Sequence, residues 1–219
     1  MTPADVIAET RSLIQDTKAP YRYSDAVLLG FVNQTLKRMV MLRPDLFTTI
    51  TSLPTEPNDV QQALPTSAVR LVELFRVVGG PSLEEADWGV FTRTYPEWAT
   101  DPAGVPTKYI RHPRNPRVYF LYPRPAVNIA LLGEYVVTPP NYALDDDISG
   151  LPDAYFGAIV DGVVFLAESV DNEHVNSNRA KLFFDSFVQA LGVSLQSRAL
   201  TDSDGRGGAA RADAREGAQ

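Results

Sequence analysis

Fourteen of the chain's 17 prolines lie between Pro44 and Pro140. Proline fixes φ and removes a backbone donor, so neither a helix interior nor a central strand accepts it without loss. The middle of the chain must therefore be built from short elements broken at each proline. The flanks carry no such restriction.

Both flanks read as helical. Thr2-Pro3-Ala4-Asp5 offers a hydroxyl cap, a proline at the first helical position and a carboxylate in the first turn. Val6, Ile7, Leu13 and Ile14 follow as one apolar face. A break at Lys18-Ala19-Pro20 precedes a second start at Ser24-Asp25, and Leu28, Val32, Leu36 and Met39 recur at helical spacing until Arg43-Pro44 ends the run. Near the other end, Pro152-Asp153 opens a helix carrying Phe156, Ile159, Val160, Val163, Val164 and Leu166, apolar on most sides and hence central. Asp171-Asn172 reads as the turn and cap into a last helix, whose Phe183, Phe187, Leu191 and Leu195 recur every fourth residue.

Between Phe47 and Thr138 the pattern becomes short runs of period two, clearest at Leu71 to Val78, Lys108 to His112, Arg117 to Tyr122 and Ile129 to Val137. Ser82 to Thr94, with Leu83, Trp88 and Phe91, reads as one short helix among them. The fold class expected is α+β. An antiparallel bundle of two N-terminal and two C-terminal helices (residues 1–46 and 141–200) carries an inserted small antiparallel sheet or sandwich (47–140). The segment Thr201 to Gln219 has no Leu, Ile, Val or aromatic residue to offset the entropy of ordering, so an extended tail ordered only by partners is expected.

The 27 acidic and 20 basic side chains leave a net charge of −7, which argues against a protein whose main task is gripping a phosphate backbone. With no cysteine, the chain has no disulfide, thiolate metal site or cysteine nucleophile. The N-terminus lacks a basic start followed by an apolar run, and the apolar stretch from Ile159 to Ala167 is too short to span a bilayer. A soluble, unprocessed chain without membrane contact is expected.

Candidate chemistry is sparse. Asp145-Asp146-Asp147-Ile148-Ser149-Gly150 matches the first half of a calcium loop, but its twelfth position is Phe156 where a bidentate carboxylate belongs. An acidic solvated linker into a helix accounts for it better. Asp161 and Glu168, two turns apart, could share acid and base roles in a carboxylate-based hydrolase. The structural alternative makes Asp161 the partner of an arginine from elsewhere, because a lone buried charge is costly. His112 and His174 form no ligand spacing, and no nucleophile elbow or phosphate-cradling glycine loop occurs. No catalytic, cofactor or metal residue is assigned. Arg111, Arg114, Arg117 and Arg124 interleave with Tyr109, Tyr119 and Tyr122. Such a pattern can bind single-stranded nucleic acid. On an acidic chain a protein interface is the preferred reading, centred on Arg111, Arg114, Arg117, Tyr119 and Tyr122. Arg206, Arg211 and Arg215 of the tail join it as residues able to pair with a partner's acids.

A longer succession of residues is more specific. Arg22-Tyr23-Ser24, Leu28-Leu29, Asn33, Met39-Val40 and Arg43-Pro44 are followed by Gln62-Ala63-Leu64-Pro65, then Tyr95-Pro96-Glu97-Trp98 and Pro116-Arg117-Val118-Tyr119-Phe120-Leu121-Tyr122-Pro123. Leu151-Pro152-Asp153, Asp161, Asp171, Ala180 and Phe187 complete it. In order and spacing this resembles the phage tail adaptor, or head-to-tail connector, family of tailed bacteriophages, up to about Leu191. Leu166 and Glu168 depart from it, standing where an arginine and a tyrosine are expected, and the Gly/Ala-rich tail is not part of the shared pattern.

The resemblance implies a noncatalytic subunit of the virion neck, assembled in the host cytoplasm. It implies a dodecameric ring between portal protein and tail or nozzle protein, through which DNA passes without specific binding. The alternatives are a host- or virion-surface binding module using the β-rich insertion, or the carboxylate-based hydrolase.

Overall fold

The computed structural model describes residues 1–170 and 177–192. In chain order these form α1 (Pro3–Leu13), α2 (Asp25–Leu42), a 3-10 turn (Pro44–Phe47), β1 (Thr48–Pro54), β2 (Gln61–Ala63), β3 (Ala68–Val77), β4 (Glu84–Glu85) and α3 (Trp88–Thr94). There follow β5 (Lys108–Arg111), β6 (Val118–Tyr122), β7 (Ala130–Val137), a second 3-10 turn (Asp153–Tyr155), α4 (Phe156–Ser169) and α5 (Ser177–Ala190). The protein is thus mixed α+β, and it divides into two compact units: residues 1–43 with the chain from Asn141 onward, and Pro44–Pro140. The expected cap at Asp171-Asn172, His174, Leu195 and the segment Thr201 to Gln219 with Arg206, Arg211 and Arg215 lie outside the described residues.

In the helical unit, α1 starts on a full capping box. The Asp5 N–H donates to Thr2 Oγ1 at 3.2 Å and the Thr2 N–H donates to Asp5 Oδ2 at 2.8 Å. These contacts, the Thr2 N–H first and its hydroxyl second, hold the Asp5 carboxyl below its ordinary range. Ser24 caps α2, whose Leu28, Val32, Leu36 and Met39 are all fully buried. The apolar α4 packs against α1, α2 and α5. Gly162 makes this close approach possible: a Cβ there would lie 2.5 Å from Thr35 Cγ2 and 3.2 Å from the Phe187 ring.

Polar links, buried or partly buried, tie these helices to one another and to the segments between them. Arg11 donates to Asp16 Oδ2 at 2.8 Å, to the Tyr23 carbonyl at 2.8 Å and to Asp25 Oδ1 at 2.6 Å. Asp16 in turn accepts the Arg22 N–H at 2.7 Å, and the Tyr23 hydroxyl donates to the Ala167 carbonyl of α4 at 2.7 Å. Asn33 of α2 accepts the Tyr142 N–H at 2.8 Å and donates to the Tyr142 carbonyl at 3.1 Å.

The β-rich unit contains, among the described residues, a three-stranded sheet of order β1-β7-β3 and a four-stranded sheet of order β2-β6-β5-β4. Pairing is antiparallel except between the two-residue β4 and β5. Leu53, Leu71, Leu74, Leu131 and Tyr135 of the first sheet share one core with Tyr109, Tyr119 and Leu121 of the second.

Two expectations are corrected here. The segment from Ser82 to Thr94 is not one helix: Glu84–Glu85 pairs as β4, and α3 begins only at Trp88, capped by Asp87. Strand β3 does not alternate on a period of two. Its buried residues are Ala68, Leu71, Leu74 and Val77, every third one. Register shifts between Ala68 and Arg70, Leu71 and Glu73, and Leu74 and Arg76 each insert an extra residue opposite β7, so burial follows the bulges rather than the pleat. Opposite the middle of β3, Gly133 leaves room for Leu74, whose Cδ2 would stand 2.5 Å from a Cβ at that position.

Candidate docking surface

Strands β5 and β6 are buried on both faces, which explains the unbroken apolar run Val118-Tyr119-Phe120-Leu121-Tyr122. Tyr109, Tyr119 and Leu121 face the core between the sheets. Ile110 and Phe120 turn the other way and join Phe91 of α3 in a second cluster, against which Trp88, Trp98 and Tyr122 pack half-buried. Its rings meet closely: Trp88 lies 5.1 Å and Trp98 5.4 Å from Phe120, while His112 stacks on Phe120 at 5.7 Å.

His112 also fixes the turn that follows. Its Nδ1 accepts the Arg114 N–H at 3.1 Å and the Asn115 N–H at 2.9 Å. Asn115 Oδ1 accepts the Arg117 N–H at 3.1 Å. With Pro113 and Pro116 limiting the backbone further, the β5–β6 tip is held in one shape.

The structure separates the arginines and tyrosines that are neighbours in sequence. Arg111 is a brace: its guanidinium donates to the Val72 carbonyl of β3 and lies 3.1 Å from Glu85, which also accepts the Tyr109 hydroxyl at 3.1 Å. Tyr119 is 0% exposed, so it cannot itself touch a partner in this conformation. Its hydroxyl has no hydrogen-bond partner among the described residues, and burial pushes its pKa well above the ordinary tyrosine value. Tyr122 is half-buried and donates to Asp101 at 2.9 Å, which raises its pKa. Arg124 sits beyond the opposite end of β6 from the tip. Arg114 is exposed at the tip, and Arg117 reaches the Pro65 carbonyl at 3.2 Å. Neither of these two pairs with a carboxylate among the described residues. What remains at the surface is a rigid tip with two arginines, adjoining a half-exposed aromatic layer. Trp88 and Trp98 belong to that layer, and the clustering of aromatics from Trp88 to Trp98 in the sequence was its available signal.

The acidic positions are occupied by structural contacts. Asp161 accepts the Ser186 hydroxyl at 2.6 Å, binding α4 to α5. The expected pairing of Asp161 with an arginine is corrected: among the described residues no arginine lies within ion-pair distance of it. Glu168 is buried with Arg179 Nη1 at 3.9 Å, and Arg179 also donates to the Leu13 carbonyl. Asp146 turns back onto the Ala143 N–H at 2.6 Å.

Several residues of the long succession likewise serve the scaffold. Arg22 and Tyr23 belong to the buried Arg11 network, and Ser24 caps α2. Gln62 closes the preceding turn through the Glu56 N–H at 2.7 Å and the Asp59 carbonyl at 2.8 Å.

The family model of the SU10 adaptor protein matches residues 1–212, and the chain belongs to that family. It is a phage adaptor, a structural kind of protein and a virion component that contacts other virion proteins. A comparison with curated proteins found no match. Among the described residues, no helix is long and apolar enough to cross a membrane.

Proposed function

We propose that the protein is the head-to-tail adaptor subunit of the virion neck, twelve copies forming a ring between the portal and a tail or nozzle protein, with DNA passing through the lumen. The observation that carries this reading is the family match over residues 1–212. The acidic balance of −7 per chain supports it, since a lumen of like charge to DNA resists sticking during passage. Assembly takes place in the host cytoplasm.

The β5–β6 tip serves as one docking surface. Arg114 and Arg117 meet acidic groups of a neighbouring virion protein, and Trp88, Trp98 and Tyr122 supply the apolar ground beside them. Arg206, Arg211 and Arg215 of the tail add further pairs with a partner's acids.

A mass measurement and a symmetric image of isolated necks test the reading: twelve copies next to the portal are expected. Its absence from the neck, or its presence as scattered single copies on the virion surface, would replace the adaptor ring with a surface-binding module. Arg114→Ala combined with Arg117→Ala should leave the fold intact and reduce incorporation about tenfold, in keeping with the loss of about 1 to 2 kcal/mol of interface energy.

A further inference from the structure

Edge strands present unpaired N–H and C=O groups to any extended chain that approaches, and proteins usually shorten, bulge, charge or cover them. Among the described residues the β-rich unit has four edge strands, and three are guarded in these ways. Strand β2 has three residues and β4 two, both of the latter glutamate. Strand β3 is bulged three times, and its outer groups bond to Pro81, Leu83 and Pro116.

Strand β1 is neither short, bulged nor charged, and its single proline, Pro54, stands at its very end. It is seven residues long, TTITSLP, uncharged, and pairs with β7 in unbroken register from Thr48↔Val136 to Pro54↔Ala130. The register tells which groups are free. Thr55 N–H donates to the Ile129 carbonyl at 3.0 Å, and antiparallel pairs alternate. The backbones of Leu53, Thr51 and Thr49 therefore face β7, while the N–H and C=O groups of Thr48, Ile50 and Ser52 point outward. No other hydrogen bond engages these outward groups among the described residues, and the Ile50 side chain is 60% exposed.

We propose that β1 receives an extended strand from another virion protein and so continues the three-stranded sheet across the interface. The proposal rests on the adaptor reading, in which contact with other virion proteins is the protein's work. The strand received is uncharged where it faces inward. One row of its side chains lies beside Thr49, Thr51 and Leu53, next to the core residues Leu131 and Tyr135, where an unpaired charge would be desolvated. β-Branched or small residues suit the other row, beside Ile50. A second copy is the poorer occupant. Pairing of β1 with itself requires a twofold axis and closes a dimer rather than a ring, and the other edges a second copy could offer are guarded.

Hydrogen exchange at Thr48, Ile50 and Ser52, measured on the purified full-length chain and on intact virions, tests the proposal. Rapid exchange is expected in the free protein and slowing by about 100-fold or more in the virion. Ile50→Lys and Ser52→Pro, which leave the bonds to β7 in place, should keep the melting temperature and lower incorporation about tenfold. Unchanged exchange in the virion, or normal incorporation of both variants, would overturn the β1 proposal alone. Protection already present in a purified dimer would assign the edge to a second copy and overturn it too. Absence of the wild-type chain from the neck would remove the adaptor reading and this proposal together.

Discussion

A single hydroxyl shows how the β-rich core balances its costs. Tyr119 fills the space between the sheets, yet its oxygen is buried without a hydrogen-bond partner among the described residues. Leaving such a group unpaired costs about 1 to 3 kcal/mol, so Tyr119→Phe should be neutral or stabilising by about 1 kcal/mol in urea unfolding. A clear loss of stability would show that the hydroxyl has a partner. Gly133 behaves oppositely. A methyl added there meets Leu74 Cδ2 at 2.5 Å and the Glu73 carbonyl at 3.1 Å, so Gly133→Ala should destabilise by about 1 to 3 kcal/mol. The sequence shows Gly133 but not this contact, because the need for glycine arises from a side chain 59 positions away, brought opposite by pairing of Leu74 with Gly133. The Arg11 node was hidden for a related reason. Its partners Asp16 and Asp25 reach it through an irregular loop in which Gln15 adopts φ 58°, and no helical or strand period predicts that path.

Elements with one dominant local signal were readable. Caps at Thr2 and Ser24 and the spacing of Leu28, Val32, Leu36 and Met39 located α1 and α2, since those interactions lie within a few residues of chain. On α5, Phe187 is 2% exposed against Gly162, whereas Phe183 is half-buried under the Arg179 guanidinium. Phe187→Ala should therefore cost about 3 to 5 kcal/mol and Phe183→Ala distinctly less, as read from denaturant midpoints at constant m. The capping box adds a pH dependence. Because the folded-state pKa of Asp5 is depressed, its contribution is present above the unfolded carboxylate pKa and is lost as pH falls through the folded value. Asp5→Asn should lower the melting temperature at neutral pH and make little difference in acid; equal effects at both would assign the loss to something other than charge. Strand β3 resisted reading because its three bulges convert an alternating strand into a threefold pattern that no simple period describes.

For the whole chain, a charge of −7 opposes association of copies, and no long heptad seam offers a compensating apolar interface. The purified protein is expected to sediment mainly as a monomer and to enter a ring only on a template. A stable ring without portal would contradict this. The candidate surface was partly legible. The sequence placed arginines and tyrosines together, but strand alternation sent Tyr119 inward, and Arg111 was drawn into pairing with Glu85. The tip arginines and the aromatic layer keep an outward face, and Arg111, partly exposed, is engaged by Glu85.

The pair of hydrogen bonds between Asn33 and Tyr142, with Lys37 donating to Asn141 at 2.6 Å, fastens the returning chain to the same helix from which it departs at Arg43. Within the insertion, Thr48 and Val136 are likewise side by side. The segment from Pro44 to Pro140 is thus a cassette with adjoining ends. It can be lengthened, recoloured in charge or exchanged for another without rethreading the helices.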